Sequence, residues 1–281
     1  MKRIKRCKIG KTILKNPVIA ASGTFGYAKE MARFFDVNLL GGIVTKTVTL
    51  NPRKGNKPPR IYDLGFGVLN SIGLENPGLK GFLKEHSKSL MRLSTKIFVS
   101  IYGETLKEWA KLITALDKKG FTVFELNFSC PNIKGKVLSS DIKKMASVIK
   151  RIRSLTDKTL VAKLSFSPDI KKTALSLEEA GVDALTLINT IPAMALDRNT
   201  KKPVLGNVYG GLSGPCIKPV ALRAVYEAVS VVSIPVIGCG GIMDYRDVLE
   251  FLSIGAKAVE VGTATLIDPL AAKKIVEGLA K

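Results

Sequence analysis

The chain has 281 residues, of which 46% are hydrophobic, and it carries 44 Lys and Arg against 23 Asp and Glu. This length is enough for one large core and suits a single α/β barrel, so we expect one domain over residues 1–281. The formal net charge of +21 is a feature of many nucleic-acid-binding proteins. The basic residues are nevertheless spread through every predicted helix without a binding motif, which favours a solvated basic surface that faces an acidic partner subunit or attracts an anionic substrate.

Several other classes of protein are also excluded. The sequence has no run of about 18 uncharged apolar residues, and its basic N-terminus lacks the apolar stretch of a signal peptide. We therefore expect a cytoplasmic protein that does not bind membranes or nucleic acid. His86 is the only histidine, and we expect it on a helix surface. Free thiols and no metal site are expected, because no CxxC pair occurs and the cysteines are scattered, at Cys7, Cys130, Cys216 and Cys239.

Short apolar, β-branched runs alternate with amphipathic segments along the chain, which is typical of repeated βα units around a parallel sheet. The pattern predicts an α/β fold, a (β/α)8 TIM barrel. Two insertions, at 46–77 and 189–214, are predicted as long loops on the C-terminal face, where loops build active sites. Strands are predicted at 17–22, 41–45, 97–101, 122–127, 160–165, 183–188, 234–238 and 258–262, and helices at 104–118, 140–154, 168–180, 218–231 and 244–253.

Glycine-rich segments follow the last two predicted strands. Gly238-Cys239-Gly240-Gly241-Ile242 comes after the seventh strand and Gly262-Thr263-Ala264 after the eighth. In barrels these two loops commonly bind a phosphate, because backbone without side chains lets several N-H groups point at one anion. Residues 210–214, which contain three further glycines, add a flexible segment on the same face.

Two lysines lie where buried barrel wall is predicted, Lys46 at the end of the second strand and Lys163 inside the fifth. A buried ammonium group needs a partner. One interpretation is a structural salt bridge with a core carboxylate. The other is a functional contact with an electron-rich cofactor ring or a substrate carboxylate.

The fourth strand ends in Asn127-Phe128-Ser129-Cys130-Pro131-Asn132, where a barrel enzyme carries its chemistry. Amides also occur around Asn70 and Asn189, and such groups recognise planar polar rings. Most lone buried cysteines only pack, but Cys130 follows a strand end within this amide cluster. Its thiolate is therefore a candidate base for a proton on carbon beside a hydride-accepting cofactor. Acyl transfer by a Cys nucleophile is less favoured, because it normally requires a His partner.

These motifs resemble class 1 dihydroorotate dehydrogenases over essentially the whole chain. The resemblance is carried by NFSCPN, NSIGLENPG, the TKT of the second strand, LINT, GGLSGPCIKPVALR, IPVIGCGGI and VGTA. The forms NSIGLENPG and GGLSGPCIKPVALR are more similar to class 1B catalytic subunits than to class 1A. A serine in place of Cys130 would have indicated class 2.

The resemblance implies FMN as cofactor, Cys130 as catalytic base, and contacts for two sets of residues. Ser100, where relatives often carry Asn, and Cys239 within the GxGG loop depart from the family pattern. The FMN contacts implied are Ser22, Thr45, Lys46, Asn127, Lys163, Ile188, Gly214, Gly240, Gly241, Gly262 and Thr263. The substrate contacts implied are Lys46, Asn70, Ser71, Ile72, Gly73, Leu74, Asn127, Asn189 and Thr190.

The implied reaction oxidises dihydroorotate to orotate in pyrimidine biosynthesis. Class 1B membership further implies a homodimer within a heterotetramer, with NAD+ reached through a separate subunit that carries FAD and a [2Fe-2S] cluster. A class 1 enzyme that acts alone with fumarate or another acceptor is the alternative. A related flavin barrel acting on another pyrimidine or enone, and a basic barrel that binds RNA or acidic protein, are the other hypotheses.

Overall fold

The computed structural model describes residues 5–129 and 141–281, and its centre is a closed barrel of parallel strands. Each barrel strand coincides with one of the predicted apolar runs, so the predicted (β/α)8 architecture is confirmed. The barrel strands are β3 (Val18–Ala20), β4 (Gly42–Val44), β7 (Lys96–Ile101), β8 (Val123–Asn127), β9 (Thr159–Leu164), β10 (Ala184–Leu187), β13 (Val236–Cys239) and β14 (Ala258–Val261). They follow one another around the barrel in this order, and β14 pairs with β3 to close it.

Amphipathic helices surround the barrel and bury one face each against it. The helix α3 shows how the sequence sets their limits, since the Thr105 hydroxyl accepts a bond from the Glu108 amide and Gly120 ends the helix at φ 104°. Among the residues described, no helix is both long and apolar enough to cross a bilayer. The helices are α1 (Gly78–Glu85), α2 (Ser87–Leu90), α3 (Leu106–Lys119), α4 (Ile142–Arg153), α5 (Ile170–Glu179), α6 (Lys218–Val229), α7 (Tyr245–Ser253), α8 (Ala264–Ile267) and α9 (Ala271–Leu279).

A hairpin that the apolar pattern did not predict lies at the N-terminal end of the barrel. It is formed by β1 (Cys7–Ile9) and β2 (Thr12–Leu14), which pair antiparallel. Ile9 and Leu14 are fully buried in the same apolar cluster as the barrel residues Ile19 and Phe98. The hairpin therefore closes the barrel at the end opposite the predicted site.

The two insertions on the C-terminal face were predicted as long loops. Instead, parts of both form one antiparallel sheet. The strands β5 (Ile61–Asp63) and β6 (Val68–Asn70) come from the first insertion, and β11 (Ile191–Ala193) and β12 (Gly210–Ser213) from the second. The sheet order is β11, β12, β6, β5. Backbone bonds between β6 and β12 thereby join segments about 140 positions apart, and these bonds hold the predicted substrate residues together.

Candidate active site

The predicted site residues that the structure describes lie at or beyond the C-terminal ends of strands. Ser22 follows β3, Thr45 and Lys46 follow β4, and Asn127 is the last residue of β8. Lys163 lies one position before the end of β9, while Asn70 ends β6 of the additional sheet. The remaining residues follow β6, β10, β12, β13 or β14 directly, at Ser71, Ile72, Gly73, Leu74, Ile188, Asn189, Thr190, Gly214, Gly240, Gly241, Gly262 and Thr263.

Hydroxyl and amide groups link the ends of β3, β4, β7 and β8. The Thr47 hydroxyl accepts a bond from Asn127 Nδ2 at 3.1 Å. It also lies 2.9 Å from the Ser100 hydroxyl and 3.4 Å from the Ser22 hydroxyl. The Ser22 hydroxyl donates to the Thr45 carbonyl at 2.8 Å. Thr47, which was not among the predicted site residues, is therefore the centre of this network.

Lys46 lies at the mouth of the site, with 27% of its side chain exposed. Its ammonium group is 3.4 Å from a carboxylate oxygen of Glu75, and Arg60 contacts the same oxygen at 3.0 Å. The two cations lower the pKa of Glu75, with Lys46 the larger influence. Lys46 thus has an exposed carboxylate as partner and remains accessible to an anionic ligand.

Asn56, which the sequence did not mark as a site residue, organises the segment that contains the predicted substrate contacts. Asn56 Nδ2 donates to the Ser71 hydroxyl at 2.9 Å, and the Asn56 amide donates to the Ile72 carbonyl at 3.0 Å. Gly73 adopts φ +76°, and a Cβ there would lie 2.5 Å from Asn56 Oδ1. Leu74 also has a positive φ, of 55°. This segment is consequently held in a conformation that a bulkier residue at position 73 would disturb.

The loop after β10 contacts the same sheet. Asn70 Nδ2 donates to the Gly211 carbonyl at 3.2 Å. A Cβ on Gly211 would lie only 2.0 Å from the Thr190 hydroxyl, so Thr190 packs directly on the backbone of β12. Asn189 Oδ1 accepts from the Thr190 amide at 2.8 Å. The structure therefore brings Asn70 and Thr190 together, although they are far apart in the sequence.

The predicted phosphate loops form a closely packed backbone cradle. Gly240 and Gly241 have φ values of +121° and +76°. A Cβ on Gly241 would lie 2.5 Å from Cβ of Lys218, the first residue of α6. A Cβ on Gly214 would lie 3.5 Å from the Thr263 methyl group, which places the loops after β12 and β14 side by side. A side chain at Gly241 would collide with the start of α6, so only backbone fits there, and its N-H groups are the surface available to an anion.

Lys163 lies in the interior of the barrel with two carboxylates. Its ammonium group is 2.6 Å from Glu260 and 4.0 Å from Glu125. Burial opposes its charged form, but the buried carboxyl groups beside it, with the hydrogen bond to Glu260, outweigh this effect and raise the pKa of Lys163. The structure therefore shows the salt bridge with a core carboxylate that was one interpretation of Lys163. The partners were missed, although each is a charged residue inside a predicted apolar strand.

Two of the described cysteines, Cys7 and Cys239, have the properties of unreactive thiols. Cys7, Cys216 and Cys239 are free. Burial raises the pKa of Cys239 to about 12 and that of Cys7 to about 11, so both remain protonated at neutral pH. Cys130, the predicted base, lies outside the described residues.

His86 was expected on a helix surface. In the structure it is instead partly buried between α1 and α2. Its ring stacks on Tyr27 with centroids 4.0 Å apart. Burial lowers its pKa. Within residues 5–129 and 141–281, no group of three or more His, Cys, Asp or Glu side chains could hold a metal ion.

Comparison with known proteins identifies the family. The profile of the dihydroorotate dehydrogenase family matches residues 5–281. The "Dihydroorotate dehydrogenase B (NAD(+)), catalytic subunit" of Thermodesulfovibrio yellowstonii is 48% identical over 278 residues, which cover 97% of this chain and 91% of that protein. The protein of the same name from Thermoanaerobacter pseudethanolicus is 44% identical over 275 residues, with 97% and 91% covered.

A solved structure supports the same fold. The dihydroorotate dehydrogenase of Eimeria tenella, crystallised with ferulenol, superposes with a TM-score of 0.79. The match covers 98% of this chain and 83% of that one, at 22% identity. At 22% identity this comparison shows a shared fold only. The family is shown by the sequence matches, which cover nearly the whole chain. The chain belongs to the dihydroorotate dehydrogenase family.

Proposed function

We propose that this chain is the catalytic subunit of a class 1B dihydroorotate dehydrogenase, which oxidises (S)-dihydroorotate to orotate in pyrimidine biosynthesis. The family match over residues 5–281 is the observation that carries the proposal. The convergence of amide, hydroxyl and lysine groups at the C-terminal ends of the strands supports it, because this is the face on which barrel enzymes carry their chemistry.

FMN fits the residues at this face. The cradle of Gly240 and Gly241 against α6, with Gly214 beside Thr263, leaves backbone groups for its phosphate. The buried Lys163 and the amide of Asn127 lie on the neighbouring strands β9 and β8, where they would hold the polar edge of the ring. When bound, FMN would supply the acceptor for the hydride that leaves C6 of the substrate.

The substrate carboxylate and ring amides match the remaining groups. Lys46, only partly neutralised by the exposed Glu75, would bind the carboxylate. Asn70, Asn127 and Asn189 offer both donors and acceptors, which suits the imide edges of the dihydropyrimidine ring. The packing of Thr190 on Gly211 would fix the loop that carries Asn189.

Cys130 would act as the base. It follows the end of β8 by three residues, and in this position its Sγ, as thiolate, would remove the proton from C5 of the substrate. Removal of this proton and departure of the hydride from C6 together create the double bond of orotate. The polar residues around the ring would hold it in one orientation for this proton transfer.

The Cys130→Ala variant tests this assignment. We expect the rate of flavin reduction by dihydroorotate to fall by about 10²–10⁴-fold, the usual contribution of a general base. Orotate should still perturb the flavin spectrum, because the binding groups remain. Cys7→Ala, in the hairpin at the opposite end of the barrel, is the control and should react as the wild type. An unchanged rate in Cys130→Ala would show that another group is the base.

The names of the relatives support a partner subunit. They are called catalytic subunits of an NAD(+) enzyme, and the four cysteines of this chain offer no cluster-binding motif. We propose that electrons leave through a partner that carries FAD and a [2Fe-2S] cluster, within a heterotetramer built on a homodimer of this chain. The purified chain should then reduce NAD+ with dihydroorotate only after that partner is added. Turnover by the chain alone with fumarate would instead support the single-chain alternative.

A further inference from the structure

Three ionisable side chains meet inside the barrel, sealed from solvent. Glu125 on β8 and Glu260 on β14 are fully buried, and Lys163 on β9 has only 4% of its surface exposed. They lie between the apolar layer at the closed end of the barrel and the residues at its C-terminal face. The group contains two carboxyl groups for one ammonium group, so its charges cannot balance if all three are ionised.

The two carboxyl groups have different surroundings. Glu260 contacts the Lys163 ammonium at 2.6 Å through one oxygen and accepts a bond from the Thr186 hydroxyl at 3.0 Å through the other. Glu125 is 4.0 Å from the ammonium group, and among the described residues neither of its buried oxygens makes a hydrogen bond of normal geometry, although Glu260 and Ser100 face it. The contacts of Glu260 therefore stabilise its ionised form, whereas Glu125 lacks the contacts that a buried anion requires.

Electrostatics favours the same division. Burial, and next the negative charge of Glu260, raise the pKa of Glu125 well above its usual value. The groups that face Glu125 are Ser100 on β7, Lys163 and Glu260. Cys239 on β13 also faces Lys163, but burial keeps this thiol neutral. An unpaired second anion in this interior would be strongly destabilising, whereas a neutral acid avoids the desolvation of a second charge.

We propose that the barrel core holds one proton on the two carboxyl groups, with Glu125 the neutral acid and Glu260 the counter-ion that positions Lys163. Glu125 is then a reserve carboxyl group, which loses its proton and becomes the counter-ion if Glu260 can no longer do so. The layer stays uncharged overall in both arrangements. The Lys163 ammonium therefore remains charged beneath the C-terminal face, whichever carboxyl group balances it.

Infrared spectroscopy of the purified chain tests the proposal without reference to flavin chemistry or turnover. At neutral pH the wild type should show the carbonyl band of one protonated carboxylic acid per chain. Glu125→Gln, which replaces a neutral acid by a neutral amide of similar shape, should remove this band. Absence of the band in the wild type, which requires no variant, would overturn the proposal, and so would its survival in Glu125→Gln.

Glu260→Gln gives a second test with a different expectation. Glu125 is then the only carboxyl group beside Lys163, so it should ionise and the band should again disappear. If Glu125 were neutral only because of burial, the band would persist in Glu260→Gln, which would contradict the reserve role. Glu277→Gln, at an exposed position of α9, is the control and should leave the wild-type band unchanged. Failure of the proposed dehydrogenase activity would not alter these spectra, so the two proposals fail separately.

Discussion

Thr47 connects three parts of the site through one hydroxyl group. That hydroxyl lies within hydrogen-bonding distance of Asn127, Ser100 and Ser22, all on other strands or the loops after them. Fixing an amide in this way lowers the entropy cost of binding a polar ring. Thr47 is therefore a positioning residue for Asn127 in the proposed site.

Thr47→Val keeps the shape of this side chain and removes its hydroxyl. We expect the free energy of unfolding to fall by about 1–3 kcal/mol, because the buried groups of Asn127 and Ser100 lose a partner. Urea titration followed by circular dichroism measures this change. Thr114→Val, at an exposed position of α3, is the matched control and should change stability little. Equal effects of the two substitutions would contradict the role given to Thr47.

Glu75 pairs with Arg60 and with Lys46, the residue proposed to bind the substrate carboxylate. We expect Glu75→Gln to bind orotate about twofold to fivefold more tightly, the range of an exposed ion pair. The lowered pKa of Glu75 means that this carboxylate is ionised throughout the neutral range, so the gain should not vary with pH there. Titration of the flavin spectrum with orotate gives the affinity. Glu227→Gln, which removes a carboxylate paired with Arg223 on α6, should have no effect, and weaker binding by Glu75→Gln would contradict the prediction.

Single residues also show what the sequence could and could not reveal. Lys163 was recognised because a charge inside an apolar strand needs a partner. Its partners Glu125 and Glu260 carry the same signal, a charge inside the apolar segments VFELN and AVEVG. A single sequence does not reveal that these three side chains of β8, β9 and β14 converge in the barrel. Asn56 left no such signal, because polar residues in loops usually face water. Thr47 belongs to the TKT motif, but no contact was assigned to it.

Among the elements, the glycine loop after β13 requires glycine at position 241 for two reasons. Its φ is positive, and α6 packs directly against it. Gly241→Ala adds a methyl group that meets Lys218 at 2.5 Å in addition to straining a φ of +76°. We expect the purified variant to lose FMN on dialysis and to melt earlier than the wild type. Flavin absorbance and a thermal melt are the measurements.

Gly65→Ala separates these two causes. Gly65 has a φ of +80°, but a Cβ there meets nothing within 4 Å. In this variant the free energy of unfolding should fall only by the conformational cost of a positive φ, about 1–2 kcal/mol. The variant should retain its flavin. If Gly241→Ala behaved in the same way, close packing in the cradle would not be needed for the phosphate.

The barrel strands were predictable because both of their faces are buried, which produces continuous apolar runs separated by amphipathic helices. The additional sheet was not. Each of its strands has three or four residues, too few for a periodic pattern, and β6 meets β12 only because the barrel brings the two insertions together. The hairpin β1–β2 escaped prediction for the same reason, since its apolar contacts are made with distant residues such as Phe98.

For the molecule as a whole, the charge of +21 is the property that the catalytic site does not explain. If this surface attracts an acidic electron-transfer subunit, association should slow markedly as salt is added, because screening shortens the reach of charge interactions. Stopped-flow mixing of the two subunits over a series of salt concentrations measures this dependence. An association rate that is independent of salt would mean that the basic surface has another role.

We propose above that this barrel is a flavin enzyme and that dihydroorotate reduces it. The absorbance spectrum of the purified chain, recorded without oxygen before and after addition of dihydroorotate, tests cofactor and substrate together. We predict a yellow protein whose flavin absorbance bleaches on this addition and returns when an oxidant is supplied. A colourless protein, or a flavin spectrum that dihydroorotate leaves unchanged, would contradict the claim.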